Sequence, residues 1–104
     1  MKSKSSTITR QGSLVPVHPG RILAREMTAR KLSALALGLS LRVPANRISE
    51  IVKGRRAISA ETALRLGRYF DTGPELWAQL QTNYDLAVAE REHGKTIRKE
   101  VQAA

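Results

Sequence analysis

The stretch Ser33-Ala34-Leu35-Ala36-Leu37-Gly38-Leu39-Ser40-Leu41-Arg42-Val43-Pro44-Ala45-Asn46-Arg47-Ile48-Ser49-Glu50-Ile51-Val52-Lys53 decides the fold. Between Leu35 and Leu41 it alternates apolar and small residues, a pattern that period counting alone reads as a strand. Composition overrules the period. The run has no β-branched residue, is rich in Leu and Ala, and follows Ser33, whose hydroxyl suits a helix N-cap. As a helix it sets Ala34, Leu37, Gly38 and Leu41 on one face and leaves Leu35 and Leu39 on another. Arg42-Val43-Pro44 then makes a tight turn, because the residue before a proline is driven out of helical conformation. From Pro44 to Lys53 a second helix is expected, with Ile48, Ile51 and Val52 at i, i+3 and i+4 as its core face and Gly54 as its stop.

Two short helices joined by such a turn have the arithmetic of a helix-turn-helix, and Gly38 is the small residue that a close crossing wants. With the isoleucines turned inward, the outward residues of the second helix are Ala45, Asn46, Arg47, Ser49, Glu50 and Lys53. In this geometry the residues near the helix start meet base edges, and those after it meet the backbone. Base contacts are therefore expected from Ala45, Asn46, Arg47, Ser49 and Glu50. Asn46 suits adenine, and Arg47 suits guanine or a phosphate. Phosphate contacts are expected from Ser33, Arg42, Lys53, the Gly54 amide, Arg55 and Arg56. The competing reading is an ordinary helical hairpin with a solvated charged face.

Charge favours the first reading. The 104 residues carry a formal charge of +9, with a pI near 10.9, a balance that points to a polyanionic partner rather than to a fold. The bases are concentrated: Arg42, Arg47, Lys53, Arg55, Arg56, Arg65 and Arg68 stand against Glu50 and Glu61 alone in that segment.

Outward from this centre, the expected fold is all-α, a bundle of five helices. His18-Pro19-Gly20 opens the first, since proline suits the first helical position, and Ile22, Leu23 and Met27 give it an apolar stripe fading near Ala29–Lys31. Ser59 caps a fourth helix with Ala63, Leu66, Gly67 and Phe70 inward, ending at Asp71–Gly73. Pro74 opens a fifth, with Trp77, Leu80, Gln81 and Tyr84 on one face. That helix is expected to run to about Glu90, with Gly94 as a breaker beyond it. The organisation expected is a flexible, basic, disordered arm over 1–17, one domain over 18–90, and a frayed tail over 91–104.

Other chemistry is excluded by what the chain lacks. There is no cysteine, hence no disulfide scaffold, thiolate metal site or cysteine nucleophile. His18 and His93 are far from a metal-pair spacing, the acidic residues do not converge, and no glycine-rich phosphate loop follows a strand. No enzyme activity, cofactor or metal is expected. No apolar run approaches the ~18 residues of a membrane span, and the first ten residues lack the core of a secretory signal, so the cytoplasm is the expected compartment.

The run His18-Pro19-Gly20, the segments Val43–Ile51 and Gly54-Arg55-Arg56-Ala57-Ile58, then Thr62-Ala63-Leu64-Arg65-Leu66, and Trp77-Ala78-Gln79-Leu80-Gln81 with Tyr84-Asp85-Leu86 closely resemble the HigA-type antitoxin family. That family lies within the phage-repressor-like (Cro/C1, XRE) helix-turn-helix class. The resemblance covers His18 to about Glu90, and its Trp-x-x-Leu-Gln-x-x-Tyr-Asp-Leu signature is more specific than the helix-turn-helix. It implies a homodimeric autorepressor, paired largely through its C-terminal helices, that binds a palindromic operator. It also implies binding and neutralisation of a co-encoded, RelE-like toxin that cleaves messenger RNA. The alternative is a stand-alone repressor without a toxin.

Three positions depart from the family pattern: Arg21 where an acidic residue is frequent, Ala34 where a backbone-contacting glutamine is frequent, and Arg42 where the turn usually has glycine. Arg42 is a candidate replacement for the phosphate contact absent at Ala34. The dimer interface is expected at Trp77, Leu80, Gln81 and Tyr84, a stripe rich for a last helix. The toxin is expected to meet surfaces uncommitted to DNA or the dimer: Leu14, Val15 and Val17 of the arm, Glu26 of the first helix, and Leu35 and Leu39.

Overall fold

A computed structural model describes residues 15–104. Five helices run in order: α1 (Pro19–Ala29), α2 (Ala34–Leu41), α3 (Ala45–Val52), α4 (Ala60–Phe70) and α5 (Pro74–Glu100). Among the described residues there is no strand. The expected arm falls almost wholly outside the described residues, Leu14 included.

Each of the capped helices starts where a side chain can satisfy its orphan N–H groups. At α1, Pro19 occupies the first turn and His18 Nδ1 accepts the Gly20 N–H at 2.9 Å. Ser33 Oγ accepts the Ala36 N–H at 3.0 Å ahead of α2, and Ser59 Oγ accepts the Thr62 N–H at 3.1 Å ahead of α4. The two serine caps are the ones the sequence predicts.

The chain divides into two compact units, and α5 passes from one to the other. The unit His18–Gln81 holds the core: Leu23 and Met27 of α1, Leu37 and Leu41 of α2, Ile48 and Ile51 of α3, Ile58, then Ala63, Leu66 and Phe70 of α4, and Trp77 of α5. Arg30 lies over the Phe70 ring at 4.8 Å, a cation–π contact, and forms an ion pair with Glu26 one turn back.

Two expectations about α5 are corrected. Trp77 is fully buried within the single chain, and its indole Nε1 donates to Thr72 Oγ1 at 3.0 Å. Gln81 is also buried, and its Oε1 accepts the Ile58 N–H at 2.8 Å. Neither can meet a second copy without the core opening, so they are core residues and not an interface. Leu80 is half-buried against the same core, and Tyr84 is half-buried. The stripe is rich because it closes a domain.

The second correction is length. α5 continues through Gly94 to Glu100, and the Val101 N–H still donates to the Ile97 carbonyl at 2.8 Å. A single glycine costs a helix only ~1 kcal/mol, less than its good helix-forming neighbours supply together. Across the gap Arg98 Nη1 donates to Glu90 Oε2 at 2.6 Å, so the two side chains bridge two helical turns over the missing side chain of Gly94.

Candidate nucleic-acid interface

The geometry of α2 and α3 is set by two glycines. A Cβ on Gly38 would lie 2.8 Å from the Val43 carbonyl oxygen and 3.3 Å from the Ala45 Cα, so only glycine permits this crossing. A Cβ on Gly20 would fall inside the Ile51 carbonyl oxygen, which makes the start of α1 a backbone-to-backbone stop for the end of α3. Between α2 and α3 the chain reverses at Arg42, which takes up the left-handed conformation (φ 63, ψ 42) usual for glycine there, while the Val43 N–H donates to the Gly38 carbonyl at 2.9 Å. Its side chain is exposed beside the turn.

Arg65, which sequence reasoning left without a role, ties this unit to α4. Its Nη1 donates to the Leu41 carbonyl at 2.9 Å, taking one of the unpaired acceptors at the end of α2, and its Nη2 donates to Glu61 at 2.9 Å. The Glu61–Arg65 i,i+4 spacing was a readable signal for the pair, though not for the bond to Leu41. The bonded Arg65 guanidinium, and then its charge, hold the Glu61 carboxyl below the ordinary carboxylate range, with Arg47 adding to the effect.

α3 presents the predicted face. Ile48 and Ile51 are fully buried and Val52 half-buried. Asn46 is exposed, and Arg47, Ser49 and Glu50 are half-exposed. Ala45 packs at the Gly38 crossing and is half-buried, so of the five it offers least to a partner. Arg42, Lys53, Gly54, Arg55 and Arg56 are all exposed, as is Ser33 at the start of α2. The backbone turns at Gly54 (φ 77), just past the Lys53 cap of α3, and the Arg55 N–H donates to the Glu50 carbonyl at 2.8 Å, which holds the basic run against the helix end. The Gly54 N–H donates to the Ile51 carbonyl at 3.0 Å, so the phosphate contact expected of that amide is corrected.

The pairing within this surface is uneven. Arg56 Nε donates to Glu50 Oε1 at 2.8 Å, joining the loop after α3 to the helix itself. Among the described residues the ion pairs engage Arg56 and Arg65 but not Arg42, Lys53 or Arg55. Both acids of the segment are thus neutralised by their own arginines, and the net field along α3 and its following loop is positive.

The residues expected to meet a toxin fall elsewhere. Leu35 and Leu39 are 62% and 69% exposed on the outer side of α2. Glu26 is half-exposed but already paired with Arg30. Val15 is exposed and Val17 half-buried. No group of three or more His, Asp or Glu residues that could hold a metal occurs among the described residues, and no described helix is long and apolar enough to cross a membrane.

Comparison with known proteins agrees with this geometry. The helix-turn-helix family matches residues 23–77, the segment from α1 to the start of α5. An addiction module antidote protein of the HigA family from Coxiella burnetii superposes with a TM-score of 0.83 at 47% identity, covering 86% of this chain and 98% of that one. The Pseudomonas aeruginosa antitoxin HigA, solved with the higBA promoter, matches with a TM-score of 0.81 at 44% identity over 84% of this chain and 96% of that one. Virulence-associated protein I of Dichelobacter nodosus is 48% identical over 77 residues, 73% of this chain and 71% of its own length. With a glycine-locked helix pair, a polar α3 face flanked by unneutralised bases, and this degree of likeness across nearly the whole of two solved relatives, the chain belongs to the HigA family of helix-turn-helix antitoxins.

Proposed function

We propose that the protein is the antitoxin of a toxin–antitoxin pair: a dimeric, sequence-specific autorepressor that also binds and neutralises a RelE-like, messenger-RNA-cleaving toxin. It acts in the cytoplasm, with no catalysis and no cofactor. The observation that carries the DNA half is the α3 face, where exposed Asn46 and half-exposed Arg47, Ser49 and Glu50 stand beside Arg42, Lys53 and Arg55. The relative solved with the higBA promoter supports it.

In this reading α3 enters the major groove. Asn46 and Arg47 meet base edges, and Glu50, oriented by Arg56, is placed to accept from a cytosine amino group. Arg42, Lys53, Arg55 and the Arg56 terminal nitrogens take phosphates and set the register. Two copies related by a two-fold axis read a palindrome with half-sites about 34 Å apart, or a multiple of that. Toxin binding rests on Leu35 and Leu39 with the outer side of α1, because these surfaces belong neither to the core nor to the groove-binding side, and on the N-terminal arm, whose apolar Leu14, Val15 and Val17 are uncommitted in the sequence.

The test has two arms. Fluorescence anisotropy with the promoter DNA preceding the gene should show specific binding at physiological salt, abolished by scrambling the palindrome. Co-expression with the neighbouring small basic reading frame should rescue growth from that frame's toxicity. Specific DNA binding without rescue assigns the protein to stand-alone repressors, and no specific binding overturns the reading.

A further inference from the structure

Arg21 belongs neither to the core nor to the α3 face, yet the backbone around it is tied to the end of α3. It follows Gly20, which lies against the Ile51 carbonyl. Its own N–H donates to the His18 carbonyl at 3.0 Å, which fixes the main chain where the side chain leaves it. On the far side of the same junction, a Cβ on Gly54 would be 3.7 Å from His18 Cγ. The start of α1 is thus in contact both with the last turn of α3 and with the turn that carries Lys53 and Arg55.

The Arg21 side chain has no attachment within the protein. It is exposed, and no ion pair among the described residues engages it. The one acid of α1 is Glu26, which is paired with Arg30. Arg30 lies over Phe70 on the α4 side of α1. Arg21 is nine residues earlier, about two and a half turns, and so stands on the opposite side, away from that pair.

Resting on the DNA-binding reading above, we infer that Arg21 is a further phosphate contact, which extends the phosphate-binding edge from the turn after α3 onto α1. Its Cα is ~3.8 Å beyond Gly20, and the long arginine stem carries the guanidinium out beside Lys53 and Arg55. There it offers a fork of N–H donors that matches two phosphate oxygens. Three unpaired cations then border the exit of α3 where the loop alone supplies two. The contact adds affinity and register on every duplex and reads no base.

Arg25 is the matched control: exposed and unpaired like Arg21, on the same helix, but one turn farther from Gly54. The full chain and its variants are titrated by anisotropy, from about 50 to 200 mM salt, with the promoter DNA preceding the gene and with a random duplex of equal length. Arg21→Ala should lower the slope of log K against log salt by roughly 0.9 for each bound copy, and weaken both duplexes by the same factor. Arg21→Lys should restore most of that slope, because it keeps the charge that displaces a counterion. Arg25→Ala should stay near the wild-type slope. A single neutral methylphosphonate, moved stepwise along the promoter DNA, should find a position that weakens the wild type about threefold and Arg21→Ala not at all.

An Arg21→Ala slope equal to the wild-type value would overturn the inference and, with weaker toxin binding, would give the residue to the toxin face. Equal losses in Arg21→Ala and Arg25→Ala would reduce both to the general positive field and overturn it too. A loss confined to the promoter DNA would make Arg21 a base reader and not a phosphate contact. Absence of DNA binding by the wild type would overturn the DNA-binding reading, and this contact with it.

Discussion

The side-chain oxygen of Gln81 accepts the backbone N–H of Ile58 at 2.8 Å inside the core, joining the start of α5 to the loop between α3 and α4. Ile58 comes just after the basic run Lys53–Arg56, so this bond anchors the far end of the segment proposed to meet phosphates. Gln81→Leu removes the acceptor and leaves a buried N–H unpaired, at a cost of about 1–3 kcal/mol. Urea denaturation should show a lower midpoint with an unchanged slope.

Gly20→Ala should destabilise the fold by about 1–3 kcal/mol, because the new methyl must displace the Ile51 carbonyl. The sign is diagnostic, since Gly→Ala within an unobstructed helix is favourable by ~1 kcal/mol. Thermal unfolding of the two proteins decides between these signs.

Asn46→Ala and Arg47→Ala should each weaken operator binding by about 1–3 kcal/mol and relax discrimination at one base pair. Arg55→Ala with Lys53→Ala should weaken all duplexes alike and lower the slope of log K against log salt by roughly two, as two phosphate contacts are lost. Anisotropy titrations over a range of salt, with operator and random DNA, separate the two classes. Arg56→Lys shortens the reach to Glu50, and should shift base preference more than overall affinity.

Glu61 titrates below its ordinary value because Arg65, and more distantly Arg47, favour its charged form. A carboxyl whose folded pKa is depressed stabilises the fold above its unfolded pKa and loses that contribution as pH falls through the folded value. Its share of stability is therefore complete above about pH 4.5 and disappears under more acid conditions. Glu61→Gln should flatten the acid limb of the stability profile, and in Arg65→Met the Glu61 carboxyl should return toward the ordinary range in a side-chain NMR titration.

Leu35→Ser and Leu39→Ser should leave stability within about 0.5 kcal/mol, as both side chains are mostly in solvent. If α2 carries the toxin contact, the double variant should lose more than about 1.4 kcal/mol of toxin affinity, a tenfold change, with operator binding unaltered. Calorimetry with purified toxin and anisotropy with operator provide the two readings.

The helix-turn-helix was legible because its signals are local. Ser33, Pro44, Gly54 and Ser59 mark boundaries through their own backbone chemistry, and Ile48, Ile51 and Leu37 repeat within a few turns. α5 was less legible because it has two apolar sides. Spacing identifies the line through Trp77 and Gln81 as one face but does not say whether its own domain or a second copy covers it. Only the placement of Ile58 and Thr72 decides that, through bonds from residues 23 and 5 positions away. Gly94 misled for a related reason. Its effect as a breaker is local, whereas the Glu90–Arg98 bridge that spans it joins residues eight apart. Arg65 escaped notice because its acceptor is a backbone carbonyl, invisible in any side-chain pattern.

The meeting of Gly20 with the Ile51 carbonyl has a thermodynamic corollary for DNA recognition. Where helices touch through side chains, rotamers can yield, and the angle between the helices fluctuates. Here, at the start of α1, main chain rests on main chain, while Leu23 and Met27 share the core with Ile48 and Ile51 of α3 beside it, so at Gly20 itself no rotamer change can absorb a displacement. In the proposed complex α3 would therefore reach the groove already at its docking angle, with little conformational entropy left to lose there on association. The entropy of that complex would then be left to counterions, water and the arginines at the rim, with operator affinity expected to follow salt more than any adjustment of the fold.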